Sequence, residues 1–302
     1  MHNFFEAIGF SNRKDGKEKT LIRNIVKNTI KDYKENHNYR LEAKGKTMEV
    51  GIKFGEYIGM YIQGEFLEDG EYEVDSVFPY VKPMSYEKYK NGITIEPNVY
   101  NISFSAACDT LSENGISIIF YLQNGIEYMN YKDKLKDDYE IGLAGLSMSG
   151  RIILPTNVNK DYINKYADKK KNKQNLFVEA RDGNQDAMES LAFDEMEMYT
   201  RINKRIENEN LYSVIDTCFM PYGLQSDKYS IIGRIVNIHK CRNSITFETV
   251  YILHLECNDV IITVAINDKD LFGVPEIGRR FKGIIWLQGR VKFNTVSYTH
   301  LT

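Results

Sequence analysis

Between Tyr229 and Phe293 the chain is written as a series of alternating apolar runs: YSIIGRIVNIHK, ETVYILHLECN, DVIITVAINDKDL and GVPEIGRRFKGIIWLQGRVKF. Residues two apart share one face of a strand, so runs rich in Ile, Val, Thr and Tyr between polar turns spell a small, self-closing sheet. A short non-strand piece with Asn267 as its N-cap follows the third run. This order predicts a five-stranded Greek-key barrel of the OB type over residues 221–294. Gly233 is expected where the first strand bends to serve both halves of the sheet. Pro275 and Gly278 mark the turn into a fourth strand at Arg280–Leu287. Only Arg290–Asn294 is left for a fifth, the least supported element. The run Ser297–Thr302, SYTHLT, reads as adapter read-through, so residues 295–302 are taken as an appended tail that has cost the closing strand its natural end.

Upstream, two different periods appear. Residues 1–10 read as a short apolar turn ended by Gly9. An amphipathic helix then runs to about Glu35, with Leu21, Ile22, Ile25, Val26, Ile30 and Tyr33 on one face and lysines on the other. Period-two runs follow at Thr47–Phe54, Tyr57–Phe66, Tyr72–Tyr80, Ile102–Cys108, Ile116–Leu122, Ile141–Met148 and Arg151–Leu154, with Ile126–Leu135 as a short helix. Strands in series after one helix predict an α+β domain with an antiparallel sheet over 1–157. Residues 158–220 are read as a helical connector: a charged helix at Asp161–Lys173, then Asn184–Ala192 and Asp194–Ile206, whose buried face takes Met188, Leu191, Met196, Tyr199, Ile202 and Ile206. Leu211–Tyr222 reads either as a short helix or as a strand entering the barrel.

The chain has 302 residues, enough for such an arrangement, and a net charge of −3, too small to imply a polyanion or a membrane as partner of the whole molecule. The charge is uneven: residues 228–294 hold ten Lys/Arg against six Asp/Glu, and the remainder twenty-nine against thirty-six. A basic barrel on an acidic body permits nucleic-acid contact without requiring it. The start MHNFFEAIGF has neither the basic n-region nor the apolar core of a signal peptide. Four widely spaced cysteines form no CxxC pair and read as reduced thiols. A soluble cytoplasmic protein is expected, with no membrane partner.

Three stretches, DEMEMYTRINKRIENENLYSVIDTCFMPYG at 194–223, YSIIGRIVNI at 229–238 and GVPEIGRRFKGIIWLQGRV at 273–291, together with the opening MHxFxxAIGF pattern, resemble an uncharacterised bacterial family of intracellular proteins of about this length. The resemblance covers Met1 to about Phe293. It implies that the chain is one natural unit, and it brings no catalytic or binding residue with it.

The residues themselves suggest no reaction centre. His239, Cys241, His254 and Cys257 come nearest to a metal set, but on a strand His254 and Cys257 point to opposite faces, so structural roles are expected and no metal. Gly145–Gly150 approaches the Ser-x-x-Gly part of the cyclic-dinucleotide-binding PilZ motif, lacks its acidic or amide residue and its paired arginines, and reads as a hairpin turn. Nucleophile elbows and phosphate loops are absent from the sequence. No catalytic residue and no cofactor is therefore expected.

What remains is a surface. OB barrels hold single strands by stacking bases on aromatics while cations follow the phosphates. Tyr251 and Trp286 are the stacking candidates, although Trp286 lies in an Ile-Ile-Trp-Leu run that also suits a core. Lys240, Arg242, Arg279, Arg280, Lys282 and Arg290 would supply charge. The leading expectation is a non-enzymatic binding or scaffolding protein acting through its barrel, with a protein partner favoured because the chain is mildly acidic. Single-stranded nucleic acid stands second, and an enzyme using the N-terminal sheet third.

Overall fold

A computed structural model describes residues 3–11, 17–36, 41–44, 47–68, 71–88, 93–97, 103–109, 117–131, 139–155, 184–186, 188–190, 215–258 and 260–293. The chain divides into two compact units, one of residues 1–152 with 217–302 and one of 153–216. In the smaller unit, residues 185, 186 and 188–190 are helical, and Met188, expected on a buried face, is half exposed. The helices expected at Asp161–Lys173 and Asp194–Ile206 lie outside the described residues.

The larger unit is α+β, with sheet predominating. It opens with a 3-10 turn, Asn3–Ile8, then helix α1, Lys17–Asn36, which buries Ile22 and Val26. Leu21, expected inward with them, is exposed. Strands β1 (Leu41–Lys44), β2 (Thr47–Lys53), β3 (Ile58–Phe66) and β4 (Tyr72–Val81) form a four-stranded antiparallel sheet in that order. Then come β5 (Ile93–Pro97), β6 (Phe104–Asp109), β7 (Ser117–Leu122), α2 (Gly125–Tyr131), β8 (Tyr139–Ser147) and β9 (Gly150–Ile153). β1 falls at the start of the period-two stretch that runs from Tyr39 to Phe78, ahead of its first named run, and β5 has no counterpart among the expected runs, because ITIEP alternates over too few residues to stand out.

After residue 216 follow β10 (Cys218–Pro221), β11 (Lys228–Arg242), β12 (Thr249–Cys257) and β13 (Val260–Asn267). A 3-10 turn at Asp268–Asp270, β14 (Leu271–Phe272) and β15 (Arg280–Phe293) complete the unit. Asn267 caps the turn as its side chain suggests, accepting from the Lys269 amide at 3.2 Å. The strands expected at Arg280–Leu287 and Arg290–Asn294 are one continuous strand, because Gln288 and Gly289 stay in the ladder with β7 and β8 on either side.

The two halves of this unit are not separate domains. β11 pairs with β12, β12 with β13, β13 with β8, β8 with β15, and β15 again with β11, so the pairings return to their starting strand. One member of this ring, β8, comes from the stretch assigned to the N-terminal domain, which replaces the division at 157 and 221. The β13–β8 contact is parallel, Ile262 opposite Leu143 through Ile266 opposite Ser147. β11 can belong to two ladders because residues 228–234 face β15 and residues 234–242 face β12. Gly233 sits at this exchange, where a Cβ would lie 2.5 Å from Cys257 Sγ; the irregularity in the ladder falls slightly later, between Ile235 and Asn237.

β8, β12, β13 and the middle of β15 are buried on both faces, and that is why they read as near-continuous apolar runs, whereas the second half of β11 is exposed on one face. Leu253, Leu255, Val264, Ile266, Ile285 and Leu287 belong to one core cluster with Leu143. Their neighbours of opposite parity, Val250, Ile252, Ala265 and Trp286 with Ala144 and Leu146, pack with Phe4, Phe5, Ile8, Phe10 and the four-stranded sheet.

Candidate functional site

The positions expected to bind a macromolecule are dispersed, and three of the eight, Tyr251, Arg280 and Trp286, are buried. Trp286 is 1% exposed. Its ring lies 5.4 Å from that of Phe4 and 5.2 Å from that of Tyr121, and Nε1 donates to Asp227 Oδ2 at 2.7 Å. It is a core residue that cannot stack on a base. Tyr251 is likewise buried, with the Lys240 ammonium 4.8 Å from its ring centroid. This contact with the Tyr251 hydroxyl raises the Lys240 pKa. Arg280 is 3% exposed, opposite Arg234 across the β11–β15 ladder, while Lys282, partly exposed, stands opposite Ile232. Arg279 is tied into its own loop, with Nη2 2.8 Å from Glu276 Oε1 and Nη1 donating to the Val274 carbonyl at 3.2 Å.

Arg290 shares the face of β15 that carries Trp286 and Gln288, toward the four-stranded sheet. Nη1 donates to the Tyr61 hydroxyl at 2.7 Å and Nη2 lies 3.1 Å from Glu127 Oε2, which also accepts from Asn124 at 2.9 Å. Burial pushes the Tyr61 phenol well up, against the pull of Arg290, and raises Tyr80 to about 12, so both remain protonated at ordinary pH. Nearby, Gln63 Nε2 donates to the buried Glu49 carboxylate at 2.7 Å and Tyr121 donates to Gln63 Oε1 at 3.4 Å. Polar groups do converge where the enzyme reading requires them, but these lie in a packed seam between sheets and are bonded to one another.

The face of β12 and β13 that packs away from the ring's core is also covered. Asn243 Nδ2 donates to Ile8 O at 2.8 Å, Thr246 Oγ1 to Gly9 O at 2.6 Å, and Ser11 Oγ to Glu248 Oε2 at 2.6 Å. Asn267 Nδ2 at 2.7 Å and Lys269 Nζ at 2.6 Å complete the shell of the Glu248 carboxylate. Burial works against that charge, but the hydrogen bonds from Lys269, Ser11 and Asn267 outweigh it and hold its pKa below the usual value. Gly9 is required here: its φ is +93°, and a Cβ would sit 3.1 Å from that of Asn243.

Two loops that join ring strands, one after β11 and one before β15, carry exposed apolar side chains at the end of the ring where β11, β13 and β8 finish. Loop 243–248 carries Ile245 and Phe247, 44% and 62% exposed; loop 272–279 carries Phe272, Val274 and Ile277, 71%, 63% and 69% exposed. Both loops are pinned from beneath. In the first, Asn243 Oδ1 accepts from the amides of Ile245 and Thr246, the Phe247 amide donates to Asn243 O at 2.8 Å, and Arg242 Nε donates to Phe247 O at 2.9 Å. These bonds hold Phe247 at φ +61°, a backbone region disfavoured for a bulky side chain. In the second, Pro275 is buried, Gly278 N donates to Ile235 O and Ile235 N to Arg279 O, both at 2.8 Å. Gly273 and Gly278, at φ +96° and +86°, supply the turns. The Arg242 guanidinium lies 5.1 Å from the Phe247 centroid, and that of Arg151 5.2 Å from the Phe272 centroid.

Of the positions singled out from sequence, Lys240, Arg242 and Arg279 fall at this end. None of the five exposed apolar residues was anticipated. The available signal was Ile and Phe inside the polar turn NSITFE, and Val and Ile between the glycines of GVPEIG. The other sequence motifs have structural roles. The Ser147 hydroxyl of the PilZ-like stretch lies 2.9 Å from both Ser149 O in its own hairpin and Ile284 O on β15, sharing its one proton between them. His254 is half-buried 3.4 Å from Thr263 Oγ1, its pKa lowered by burial and by His239. Among the described residues, no three His, Cys, Asp or Glu side chains are placed to hold a metal.

A family model covers residues 5–289, nearly the whole chain. The chain belongs to the family described as Domain of unknown function, E. rectale Gene description (DUF3881). No curated protein and no solved structure matches it. Membership in DUF3881 thus agrees with the resemblance seen in the sequence, and it carries no activity with it. None of the described helices is long and apolar enough to cross a membrane.

Proposed function

We propose that this chain is a non-catalytic, cytoplasmic binding protein that engages another protein through the apolar end of its ring. The ring is read as an OB-like barrel in the order β11-β12-β13-β8-β15, with β8 filling the fifth place from upstream of the first strand. The observation that carries the reading is the display of five exposed apolar side chains on two rigid loops. Large apolar side chains held in solvent mark contact sites, and loops already fixed lose little entropy on binding. Residues 3–11 cover the face of β12 and β13 and bond Asn243 and Thr246 of the first loop, while Ile245 and Phe247 of that loop stay exposed.

A photo-crosslinking amino acid at Ile277, used in cells, should give a discrete protein adduct that disappears when Phe272→Ser is added. The same adducts from a control position at Lys53, or none from Ile277, would remove the reading.

Single-stranded nucleic acid is the second reading, favoured by one feature: exposed Phe247 beside Arg242 and Lys240 offers a stacking ring with two cations. A filter-binding titration of mixed RNA and single-stranded DNA across salt tests it. Affinity should fall steeply with salt and be lost in Lys240→Glu with Arg242→Glu. Undetectable binding at low salt ends it.

A further inference from the structure

We infer that the partner segment received at this end of the ring is acidic and amphipathic. The inference rests on the reading above and names the chemistry of its partner. Two of the exposed rings form the same couple: Arg242 over Phe247 and Arg151 over Phe272. A guanidinium stacked on a ring keeps its in-plane N–H groups at the edge, directed outward and able to grip a carboxylate with two bonds. Among the described residues, Arg242 donates from Nε alone, to Phe247 O.

The local ion pairs leave these cations available. Lys269 is 2.6 Å from Glu248 and Arg279 is 2.8 Å from Glu276, so those charges are matched within the chain. Among the described residues, no carboxylate forms an ion pair with Arg151, Lys240 or Arg242. Nearby acids include Asp270, Asp268, whose charge acts on Lys240, and Glu56, whose charge acts on Cys241; none of them forms an ion pair with Arg151 or Arg242. Each couple therefore takes one acidic and one apolar side chain side by side, with Ile245 flanking the first and Val274 and Ile277 the second. A segment carrying Asp or Glu beside an apolar stripe meets both requirements; a basic segment would set like charges against Arg151 and Arg242.

The test is selection from a random peptide library on the full-length protein, counter-selected on the Phe247→Ser, Phe272→Ser double variant. Selected peptides should combine Asp or Glu with Leu, Phe or Trp. By fluorescence anisotropy they should lose about tenfold or more in affinity for Arg151→Glu, Arg242→Glu, and recover it when their own acids are exchanged for lysine. Neutral or basic peptides, acidic peptides indifferent to the charge reversal, or no enrichment at all would each overturn the inference. Peptides bound equally by the double serine variant would show that this end of the ring is not the site, and the reading beneath it would fail instead. An oligo(dT) arm retained at low salt and lost in the same arginine variants would assign the cations to phosphate. All four substituted side chains lie on the surface, so thermal melts overlaying the parent's confirm that folding is not what changes.

Discussion

Gln123 donates its side-chain amide to Gln288 Oε1 at 2.9 Å, and each glutamine also donates to the open edge of β4, Gln123 to Val81 O at 2.9 Å and Gln288 to Pro79 O at 2.8 Å. Both are fully buried. Among the described residues β4 pairs with β3 alone, and on its other side two side-chain amides stand in for a ladder. Gln288→Leu keeps the volume but leaves the Pro79 carbonyl and one Gln123 donor unsatisfied, at a cost of about 2–4 kcal/mol. Urea unfolding should show the midpoint falling with an unchanged slope. A change under about 0.5 kcal/mol would mean the amides are not the link between the sheets.

Arg290 was selected from the sequence as a phosphate-binding cation, and its surroundings give it a structural role. Removing it leaves Glu127 half-buried without its cation and the Tyr61 hydroxyl without its partner. Arg290→Ala should destabilise by about 3–5 kcal/mol. Conditions in which the variant is still folded should show unchanged affinity for any ligand of the ring's exposed end. Weaker binding with unchanged stability would return Arg290 to the surface role.

What was legible in the sequence was local periodicity. The runs at β2, β3, β4, β7, β8, β12 and β13 were placed within a few residues because alternation and turn residues act at short range. Ring membership was not legible, since nothing in YEIGLAGLS says that it pairs with VIITVAIN, more than a hundred residues later, rather than with its neighbours. Trp286 illustrates the same limit. Its position in Ile-Ile-Trp-Leu fixed its parity, but only the packing of Phe4 above it decided that this face is interior. The exposed loops were missed for the opposite reason: Phe247, Val274 and Ile277 look like core residues to any reading that equates apolar with buried.

Trp286 is the single tryptophan, so its fluorescence reports on the cover formed by residues 3–11. Phe4→Ala removes the ring 5.4 Å from the indole and should cost about 3 kcal/mol, with emission shifted to the red before global unfolding begins. An emission maximum identical to the parent's would mean that Phe4 does not seal the indole.

Glu248 gives the N-terminal turn a dependence on pH. Its carboxyl pKa is lower folded than unfolded, so its stabilising contribution is complete above the unfolded value of about 4.3 and is lost as pH falls through the folded one. Glu248→Gln should therefore be less stable than the parent at neutral pH, with the gap closing in acid below about pH 4. Denaturant midpoints measured from pH 3 to 8 check this, and a gap independent of pH would place the loss in packing rather than charge.

The ring's dependence on β8 makes the sharpest prediction about how the chain must be cut. Residues 217–293 contain β11, β12, β13 and β15 but lack the strand between β13 and β15. Without it, one edge each of β13 and β15 is unpaired over the stretches facing Leu143–Ser147 and Tyr139–Gly145, and Val264, Ile285 and Leu287 lose Leu143 from their core cluster. Unpaired edges beside exposed apolar side chains favour association over folding. Expressed alone, 217–293 should show no cooperative thermal transition. Joining residues 139–153 to its C-terminal end through a flexible linker restores the fifth strand and should restore a cooperative transition, provided the outer apolar face around Trp286 is kept from associating at low protein concentration. Cooperative, monomeric unfolding of 217–293 by itself would mean that the stretch closes without β8.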